Sequence, residues 1–426
     1  MRISTSGTRL VVGYDLGHEY SQISYCVEGN DVETLSLIAG AEEYSIPTLL
    51  CKREGVNQWF YGKEALRYAG QEQGVVVDNI LQLAMEGEEV LIEGKAFDPV
   101  ALLTLFVKRS LGLLSQLPYD KIDALMITCE KLDHRMLEVL SQVVAGLKLK
   151  NTQVSFQNYT ESFYNYMIYQ PEELWSFQTL LCDYRGSSMK VSRMECNKRT
   201  TPIVAFIDSQ EYAFLPYEPM PETESLRKEK LERLDREFLD LMTEVCRNNL
   251  ISSVYLIGEN YSGEWMKESL RFLCRGRRVF QGNNLYSKGA CFGMLERLTA
   301  SETGKSHVFL GNEKLKANVG MRVMRRGEHS YYALLDAGVN WFEAEGCVEC
   351  YLQGDNVLEF TITPLIGKEG KIARIVLDEL TGNLNRVQIC AWLKEESRMV
   401  VEITDLGLGE IRPATECVWT EEIELY

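Results

Sequence analysis

The chain has 426 residues, and its 62 Asp and Glu outnumber its 45 Lys and Arg to give a formal net charge of −17. A sequence-independent nucleic-acid binder, or a protein that docks on anionic lipid, needs a basic face, so this charge argues against both classes. No apolar run approaches the ~20 residues of a membrane-spanning helix, and the N-terminus lacks a signal-peptide pattern. We therefore expect a globular protein that contacts neither nucleic acid nor membrane.

The 12 cysteines are spread along the chain, mostly inside apolar stretches. This usage predicts reduced thiols that fill cores in the cytoplasm. One CxxC pair, Cys347 and Cys350, is followed by no second pair at metal-ligand spacing. We interpret it as two residues of one strand or its turn rather than as a metal site.

The N-terminal region begins with a predicted hairpin. Arg9–Tyr14 and Ser21–Val27 have the composition of strands, and Asp15–Tyr20 forms the turn between them. Another strand is predicted at Ser45–Lys52, and a short helix at Tyr61–Tyr68.

Helices and strands then alternate. Asp98, Asp133 and Thr160 are each predicted to cap a helix, the second running to about Gly146. Short buried strands are predicted at Asp123–Thr128 and Gln153–Phe156, and a second hairpin at Ser176–Asp183 and Met189–Met194, around the turn Asp183–Ser188.

Three further helices are predicted, at Leu226–Asn249, from about Ser262, which would cap it, to about Cys274, and at Leu285–Arg297. A strand is predicted at Ser253–Ile257. The region to residue 300 therefore predicts an α/β domain with mixed sheets, and 301–315 a linker. Residues 316–426 predict an all-β sandwich, because short strand-like runs recur between turn signals without helical periodicity. These runs are Met321–Met324, Tyr331–Leu335, Val357–Thr363, Ile372–Val376, Val387–Leu393 and Met399–Ile403.

The two hairpin turns carry chemistry of their own. The first reads Gly13-Tyr14-Asp15-Leu16-Gly17 and the second Asp183-Tyr184-Arg185-Gly186-Ser187-Ser188. Glycine lets the backbone approach a phosphate, the N–H groups of a turn can cradle it, and an aspartate can position a magnesium-bound water. Two such turns facing each other would form a phosphate clamp.

These turns belong to an ordered set of segments. The others are Ile46-Pro47-Thr48 with Tyr61–Ala65, Ala124–Thr128, Val254–Leu273 with Gly258 at its turn, and Tyr286–Gly293. In order and spacing they resemble the actin-like ATPase superfamily, most closely the DnaK-type heat-shock chaperones, over about residues 9–298. The C-terminal module is similar to the substrate-binding β-sandwich of those chaperones, and the chain stops near where their helical lid begins, so we expect no lid.

The resemblance implies a two-lobed actin-like (ribonuclease H-like) ATPase fold that binds ATP or ADP with Mg²⁺. It implies that Asp15 and Asp183 act in catalysis and hold the metal through water. The nucleotide-binding positions that it implies are Gly13, Gly17, Ser21, Gly186, Ser188, Gly258 and Lys288.

Several positions depart from the family pattern. Glu19 follows the first turn, where a carboxylate beside a triphosphate would cost roughly 1 to several kcal/mol. Arg185 replaces the first of the consecutive glycines in the second turn and could pair with phosphate or with Glu19. Glu259 stands where the nucleoside would approach. The family's catalytic lysine falls at about Ile80, and an acidic position at about Asn158.

Three hypotheses follow from these observations. The leading one is a DnaK-like chaperone or scaffold that binds a polypeptide partner through the β-sandwich and carries a degenerate ATP site. The alternatives are an active magnesium-dependent ATPase and an actin-like cytoskeletal or assembly protein. Gly304-Lys305-Ser306 matches the end of a Walker A loop, but Thr299 stands where that motif needs a glycine, so we interpret it as structural.

Overall fold

A computed structural model describes residues 9–27, 30–38, 40–71, 73–117, 121–261, 263–365, 369–378, 380, 382–415 and 417–426. The chain divides into two compact units, Met1–Val308 and Phe309–Tyr426. It is a mixed α/β protein with a β-rich C-terminal part. No helix among the described residues is both long and apolar enough to cross a bilayer.

The first half of the N-terminal unit ends with a helix at Ile168. Its strands are β1 (Leu10–Leu16), β2 (Tyr20–Val27), β3 (Glu33–Thr34), β4 (Ile46–Pro47), β5 (Leu50–Arg53), β6 (Trp59–Tyr61), β7 (Gly74–Val77), β8 (Val90–Ile92), β9 (Lys95–Phe97), β10 (Ala124–Cys129) and β11 (Gln153–Asn158). Its helices are α1 (Gly62–Gly70), α2 (Ile80–Glu86), α3 (Pro99–Leu111), α4 (His134–Leu147) and α5 (Tyr159–Ile168).

The second half has fewer and longer elements. Its strands are β12 (Gln178–Arg185), β13 (Ser188–Asn197), β14 (Ile203–Ala213), β15 (Ile251–Ile257), β16 (Arg278–Gln281) and β17 (His307–Phe309). Its helices are α6 (Glu224–Cys246), α7 (Glu268–Leu273), α8 (Leu285–Leu298) and α9 (Glu302–Ser306).

Each half is built around a six-stranded sheet, and five strands of each sheet follow the same order, while the sixth strand is placed differently. The first runs β11-β10-β1-β2-β3 with β4 also on β2, and the second runs β16-β15-β12-β13-β14-β17. In both, the first strand of the half pairs in parallel with one neighbour and antiparallel with the next strand along the chain. The same topology therefore occurs twice in the N-terminal unit.

Helix-capping side chains fix where several helices begin. The Asp98 carboxylate accepts from the N–H groups of Val100 and Ala101 at 3.1 Å, and Asp133 accepts from that of Met136 at 2.9 Å, as predicted. Satisfying these otherwise unpaired donors stabilises the first turn by about 1 kcal/mol each.

The third predicted cap was wrong by two residues. Asn158, rather than Thr160, accepts from the N–H of Glu161 at 2.8 Å and begins α5. Ser262, predicted to cap a later helix, lies outside the described residues, and the helix there is confined to α7.

The C-terminal unit contains two four-stranded sheets. Its strands are β18 (Ala317–Arg325), β19 (Glu328–Leu335), β20 (Glu345–Gln353), β21 (Val357–Pro364), β22 (Lys371–Val376), β23 (Leu384–Glu395), β24 (Arg398–Asp405) and β25 (Val418–Glu424). One sheet runs β19-β18-β21-β22 and the other β20-β23-β24-β25, with antiparallel pairs throughout.

Each sheet of this unit buries one face. Along β23, Val387, Ile389 and Ala391 are buried while the residues between them are half-buried. On the other sheet, Phe360 and Ile362 are fully buried. Strands β20 and β25 were not predicted, because β20 alternates between exposed and half-buried positions and β25 is mostly exposed.

The cysteine prediction was wrong at one pair. Cys347 forms a disulfide with Cys390, so these two are not reduced thiols. The prediction that Cys347 and Cys350 belong to one strand is confirmed, because both lie in β20. Buried cysteines such as Cys182 do fill cores.

Candidate functional site

Each half of the N-terminal unit places one aspartate near the end of its first strand. Asp15 in β1 lies opposite Gln22 in β2, and Asp183 in β12 lies opposite Lys190 in β13, the same seven-residue hairpin register in both halves. Both aspartates are buried, with 5% and 8% of their surface exposed. A buried carboxyl needs hydrogen-bond partners, and two tyrosines supply them.

The two tyrosines connect the aspartates to each other. Tyr159 Oη donates to Asp15 Oδ1 at 2.8 Å, and Tyr286 Oη donates to Asp183 Oδ2 at 3.1 Å. The two rings stack with their centroids 3.8 Å apart and their planes at 7°. We call Asp15, Tyr159, Tyr286 and Asp183 the tyrosine bridge.

Arg185 covers the tyrosine bridge. Its Nε donates to Asp183 Oδ1 at 2.9 Å, and its guanidinium carbon lies 5.7 Å from the Tyr159 ring centroid and 5.9 Å from that of Tyr286. The side chain is 43% exposed, so it lies between the bridge and solvent. Sequence reasoning left open a pairing of Arg185 with Glu19, and that alternative is wrong because the partner is Asp183.

The electrostatics of the bridge set its protonation. Burial raises the pKa of Asp15 to about 7, Arg185 and the Tyr159 hydrogen bond oppose that rise, and Asp183 adds to it. Burial also raises the pKa of Tyr159 and of Tyr286 well above the ordinary value, so both phenols stay protonated and act as donors.

A close approach of two helices brings the tyrosines together. Tyr159 is the first residue of α5 and Tyr286 the second residue of α8. A Cβ atom at Gly289 in α8 would overlap the carbonyl oxygen of Ser162 in α5, so glycine is needed where these helices meet. The helix contact, rather than any local motif, positions the two rings.

Three of the glycines predicted to bind nucleotide are packed against backbone. A Cβ at Gly13 would overlap Ser287 in α8, and one at Gly258, where φ is +108°, would overlap the carbonyl oxygen of Tyr184. A Cβ at Gly17 would overlap the carbonyl oxygen within its own turn. Gly186 differs, because its φ is +50° and nothing lies within 4 Å of a Cβ there.

The other predicted binding residues are dispersed. Ser21 is fully buried and hydrogen-bonds Thr48 at 2.9 Å, while the Ser188 hydroxyl donates to Glu211. Lys288 is half-buried in α8.

The two positions aligned with catalytic residues of the resembled family are structural. Ile80 is a core residue in the first turn of α2, and Asn158 is the α5 cap.

Two small cavities flank Arg185. One of about 150 Å³ is bordered by Tyr159, Asp183 and Ser188 and by the Lys190–Glu130 ion pair, in which the charged atoms lie 3.0 Å apart. The other, of about 30 Å³, is lined by Asp15, Tyr20, Gln22, Ser45, Arg185, Ile257, Gly258, Glu259 and Asn283. Pockets for small molecules and cofactors usually enclose roughly 300–1,000 Å³.

Two acidic side chains, Asp15 and Glu259, and one basic side chain, Arg185, line the second cavity. Burial raises the pKa of Glu259, and Glu19 and Asp183 raise it further while Arg185 opposes them. Next to Glu259, the Asn260 side chain donates to the carbonyl oxygen of Gly186 at 3.2 Å, which ties the second hairpin to this loop. The side chain of Glu259 thus lines the cavity where the nucleoside was expected.

The sequence reasoning missed Tyr159 and Tyr286 as site residues. The aromatic run Phe156–Tyr169 contributes Phe163 and Met167 to the core, as an ordinary packed helix would. Neither tyrosine lies in a local pattern that points to the other. The one signal that remains is their position, since each tyrosine is the first or second residue of the helix that follows the last parallel strand of its half.

The structure thus defines an α/β unit in which one sheet topology occurs twice, followed by a β-rich unit. In the α/β unit, two buried aspartates, Asp15 and Asp183, each accept a hydrogen bond from a tyrosine. The chain belongs to the family described as "Family of unknown function (DUF5716) C-terminal", whose model matches residues 31–312. A second model, "Domain of unknown function (DUF8552)", matches residues 314–425. No curated protein matches the chain.

Proposed function

We propose that this chain is a chaperone-like or scaffold protein with an actin-like fold, which binds a polypeptide partner without turning over ATP. The observation that carries this proposal is the tyrosine bridge with Arg185 over it. Side chains fill the place between the two hairpins where a nucleotide phosphate would lie. The partner binds on the C-terminal unit.

The duplicated topology supports the actin-like assignment. In each half, one strand lies between an antiparallel hairpin on one side and two parallel strands on the other. Each half then continues into a helix that carries one tyrosine of the bridge. Actin-like ATPases are two-lobed, and each lobe carries one phosphate turn, which fits one aspartate hairpin per half.

The donor atoms at the bridge do not fit a magnesium–nucleotide complex. Asp183 uses one oxygen for Arg185 and the other for Tyr286, and Asp15 uses one for Tyr159. Among the described residues, no group of three or more His, Cys, Asp or Glu is arranged to hold a metal ion. The flanking cavities are also smaller than cofactor pockets, so we infer that the ancestral site is closed.

The C-terminal unit offers a surface for an extended polypeptide. β22 is the outermost strand of its sheet in the part of the chain that the structure describes, and its Ile372 and Val376 are 55% and 54% exposed. Both lie on one face of the strand, on either side of Arg374. An outermost strand can pair with an added strand, and apolar side chains at alternate positions give such pairing specificity.

The first test asks whether the cleft binds nucleotide. Adding ATP or ADP with Mg²⁺ to the purified chain should leave its melting temperature within about 1 °C, because a ligand that does not bind the folded state does not stabilise it. Phosphate release should equal that of buffer. A shift of several degrees that both Asp15→Ala and Asp183→Ala remove would favour the ATPase alternative instead.

The second test concerns the partner. Fluorescence anisotropy of a labelled, reduced and carboxymethylated model polypeptide should rise on adding the chain, equally with and without Mg–ATP. Ile372→Asp combined with Val376→Asp should weaken binding about tenfold, equal to ~1.4 kcal/mol. Arg374→Lys on the same strand is the matched control and should bind normally. An ATP-dependent affinity would contradict the closed cleft, and no binding at all would contradict the polypeptide partner.

A further inference from the structure

Two cysteines lie directly opposite each other on the C-terminal unit. Cys347 in β20 is the register partner of Cys390 in β23, and they form a disulfide. Strand β20 is the outermost strand of its sheet among the described residues. The bond therefore joins this strand to its one neighbour in the sheet.

The disulfide lies on the solvent side of the sheet. The buried residues of β23, such as Ile389 and Ala391, have side chains on the face opposite to that of Cys390. Cys390 is half-buried and Cys347 is exposed. Structural disulfides resist reduction, whereas exposed ones are the labile or regulatory class.

Other cysteines of the chain are less accessible to solvent than this disulfide. Cys26, Cys51, Cys182, Cys246 and Cys291 are free and buried. Reagents in solution therefore reach the Cys347–Cys390 pair far more easily than these thiols.

We propose that Cys347 and Cys390 form a reversible redox site whose reactant is a dithiol reductant. A thiolate of the reductant attacks the exposed Cys347 Sγ, the sulfur–sulfur bond breaks, and Cys390 leaves as a thiolate that takes up a proton. The second thiol of the reductant then attacks the mixed disulfide, forms the oxidised cyclic or protein disulfide, and releases Cys347 as a thiol. Two electrons and two protons pass from the dithiol to the cystine. This site is independent of the function proposed above.

The nearby Cys350 does not replace the second thiol of the reductant. It lies three positions from Cys347 on the same strand, so its side chain is on the opposite face of the sheet. It is also half-buried. The mixed disulfide must therefore be resolved by the reductant itself, which favours dithiols over monothiols.

Acidic neighbours strengthen this preference. Glu345 and Glu349 flank Cys347 on the exposed face, and Glu402 is the register partner of Cys390. Arg386 neutralises only Glu349, with which it forms an ion pair. Because the local charge is negative, it repels the glutathione thiolate, which carries two net negative charges, more than a dithiothreitol monoanion, which carries one.

The experiment uses the folded, full-length chain after oxidation in air. Iodoacetamide is added without denaturant, before and after graded treatment with dithiothreitol, and the labelled peptides are quantified by mass spectrometry. Labelling of Cys347 and Cys390 should rise at least tenfold after reduction. The exposed free Cys274 should be labelled throughout, and the buried Cys182 should stay unlabelled. Equal labelling before and after reduction, or labelling that needs denaturant, would overturn the proposal.

Single-cysteine variants test which sulfur is attacked. In Cys390→Ser the exposed Cys347 thiolate should attack a symmetric disulfide probe, form a mixed disulfide and release one thiol of the probe several-fold faster than Cys390 does in Cys347→Ser, because an accessible sulfur reacts faster in thiol–disulfide exchange. Equal rates would overturn the assignment of Cys347 as the attacked sulfur.

Salt dependence tests the choice of reductant. For the wild-type cystine, the logarithm of the reduction rate should rise with ionic strength about twice as steeply for glutathione as for dithiothreitol, following their charges. Equal slopes would overturn the role of the carboxylates.

Discussion

The buried carboxyl of Asp15 makes a prediction about stability and pH. The folded state holds the pKa of Asp15 near 7, whereas an unfolded aspartate titrates near 3.8. Below pH 4 the group is protonated in both states and has no effect. Between pH 4 and 7 the unfolded chain releases this proton while the folded chain keeps it, so stability falls as pH rises. Above pH 7 both states are ionised and the loss is constant.

Asp15→Asn removes this titration while keeping an oxygen that can accept from Tyr159. A difference of about three pKa units is worth about 4 kcal/mol, at 1.36 kcal/mol per unit. By pH 5 the wild type has lost only about 1–2 kcal/mol of it, and by pH 7.5 nearly all. The stability of Asp15→Asn relative to wild type should therefore improve by about 2–3 kcal/mol between pH 5 and pH 7.5.

Urea unfolding at a series of pH values, followed by tryptophan fluorescence, measures this difference. The matched control is Asp235→Asn in the same unit. Hydrogen bonds from Ser269 and from backbone N–H groups hold the pKa of Asp235 below its ordinary value, so its contribution is lost only as pH falls below about 4. Asp235→Asn should then be less stable by a constant amount from pH 5 to 7.5. A constant offset for Asp15→Asn as well would refute the raised pKa.

Three further predictions concern packing and cross-links. Gly258→Ala should lower stability by more than about 3 kcal/mol in urea unfolding, because its Cβ would overlap backbone, whereas Gly186→Ala, with open space, should cost about 1 kcal/mol; similar losses would contradict the packing role of Gly258. Two guanidinium nitrogens of Arg412 donate to the fully buried Asp405 at 2.7 and 2.9 Å, and Arg412→Met removes both hydrogen bonds. This change should lower the free energy of unfolding by about 3–5 kcal/mol, because it leaves a buried carboxylate without its cation. A loss under about 1 kcal/mol would contradict the stabilising role of this ion pair. Under oxidising conditions, Cys347→Ser should lower the free energy of unfolding by about 4 kcal/mol, as expected for a disulfide between residues separated by 43 positions. After treatment with a dithiol, the variant and the wild type should be equally stable. A difference in stability that persists in the reductant would show that packing, and not the disulfide, is the cause.

Sequence patterns predicted the local elements of the N-terminal unit well. The two hairpins and the capped helices after Asp98 and Asp133 were located because each depends on residues close together in the chain. The cap of α5 was predicted at Thr160, two residues too late. Asn158 ends strand β11 and caps α5 at the same time, so no turn residue separates the two elements.

The candidate site was only half predictable. Asp15 and Asp183 could be identified because each lies in a turn signature beside glycine. Tyr159 and Tyr286 could not, because their stacking depends on the packing of α5 against α8 through Gly289. Long-range contacts of this kind leave no periodic trace in a single sequence. The Cys347–Cys390 bond was missed for the same reason, since it depends on the register of two strands.

The tyrosine bridge repeats the duplication of the fold, and one residue breaks the symmetry. In each half, a tyrosine near the start of the helix after the last parallel strand donates to the aspartate of the first strand, as Tyr159 does to Asp15 and Tyr286 does to Asp183. The position two residues after the aspartate is a glycine in the first half and Arg185 in the second. The Arg185 cation offsets part of the negative charge of the two buried carboxyls. It belongs to the second half, where it pairs with Asp183, and it also lowers the pKa of Asp15 in the first half. Removing it should therefore raise the pKa of Asp15 further. Arg185→Met should move the pH at which Asp15→Asn reaches its full advantage to a higher value, and an unchanged pH profile would mean that Arg185 does not act on the first half.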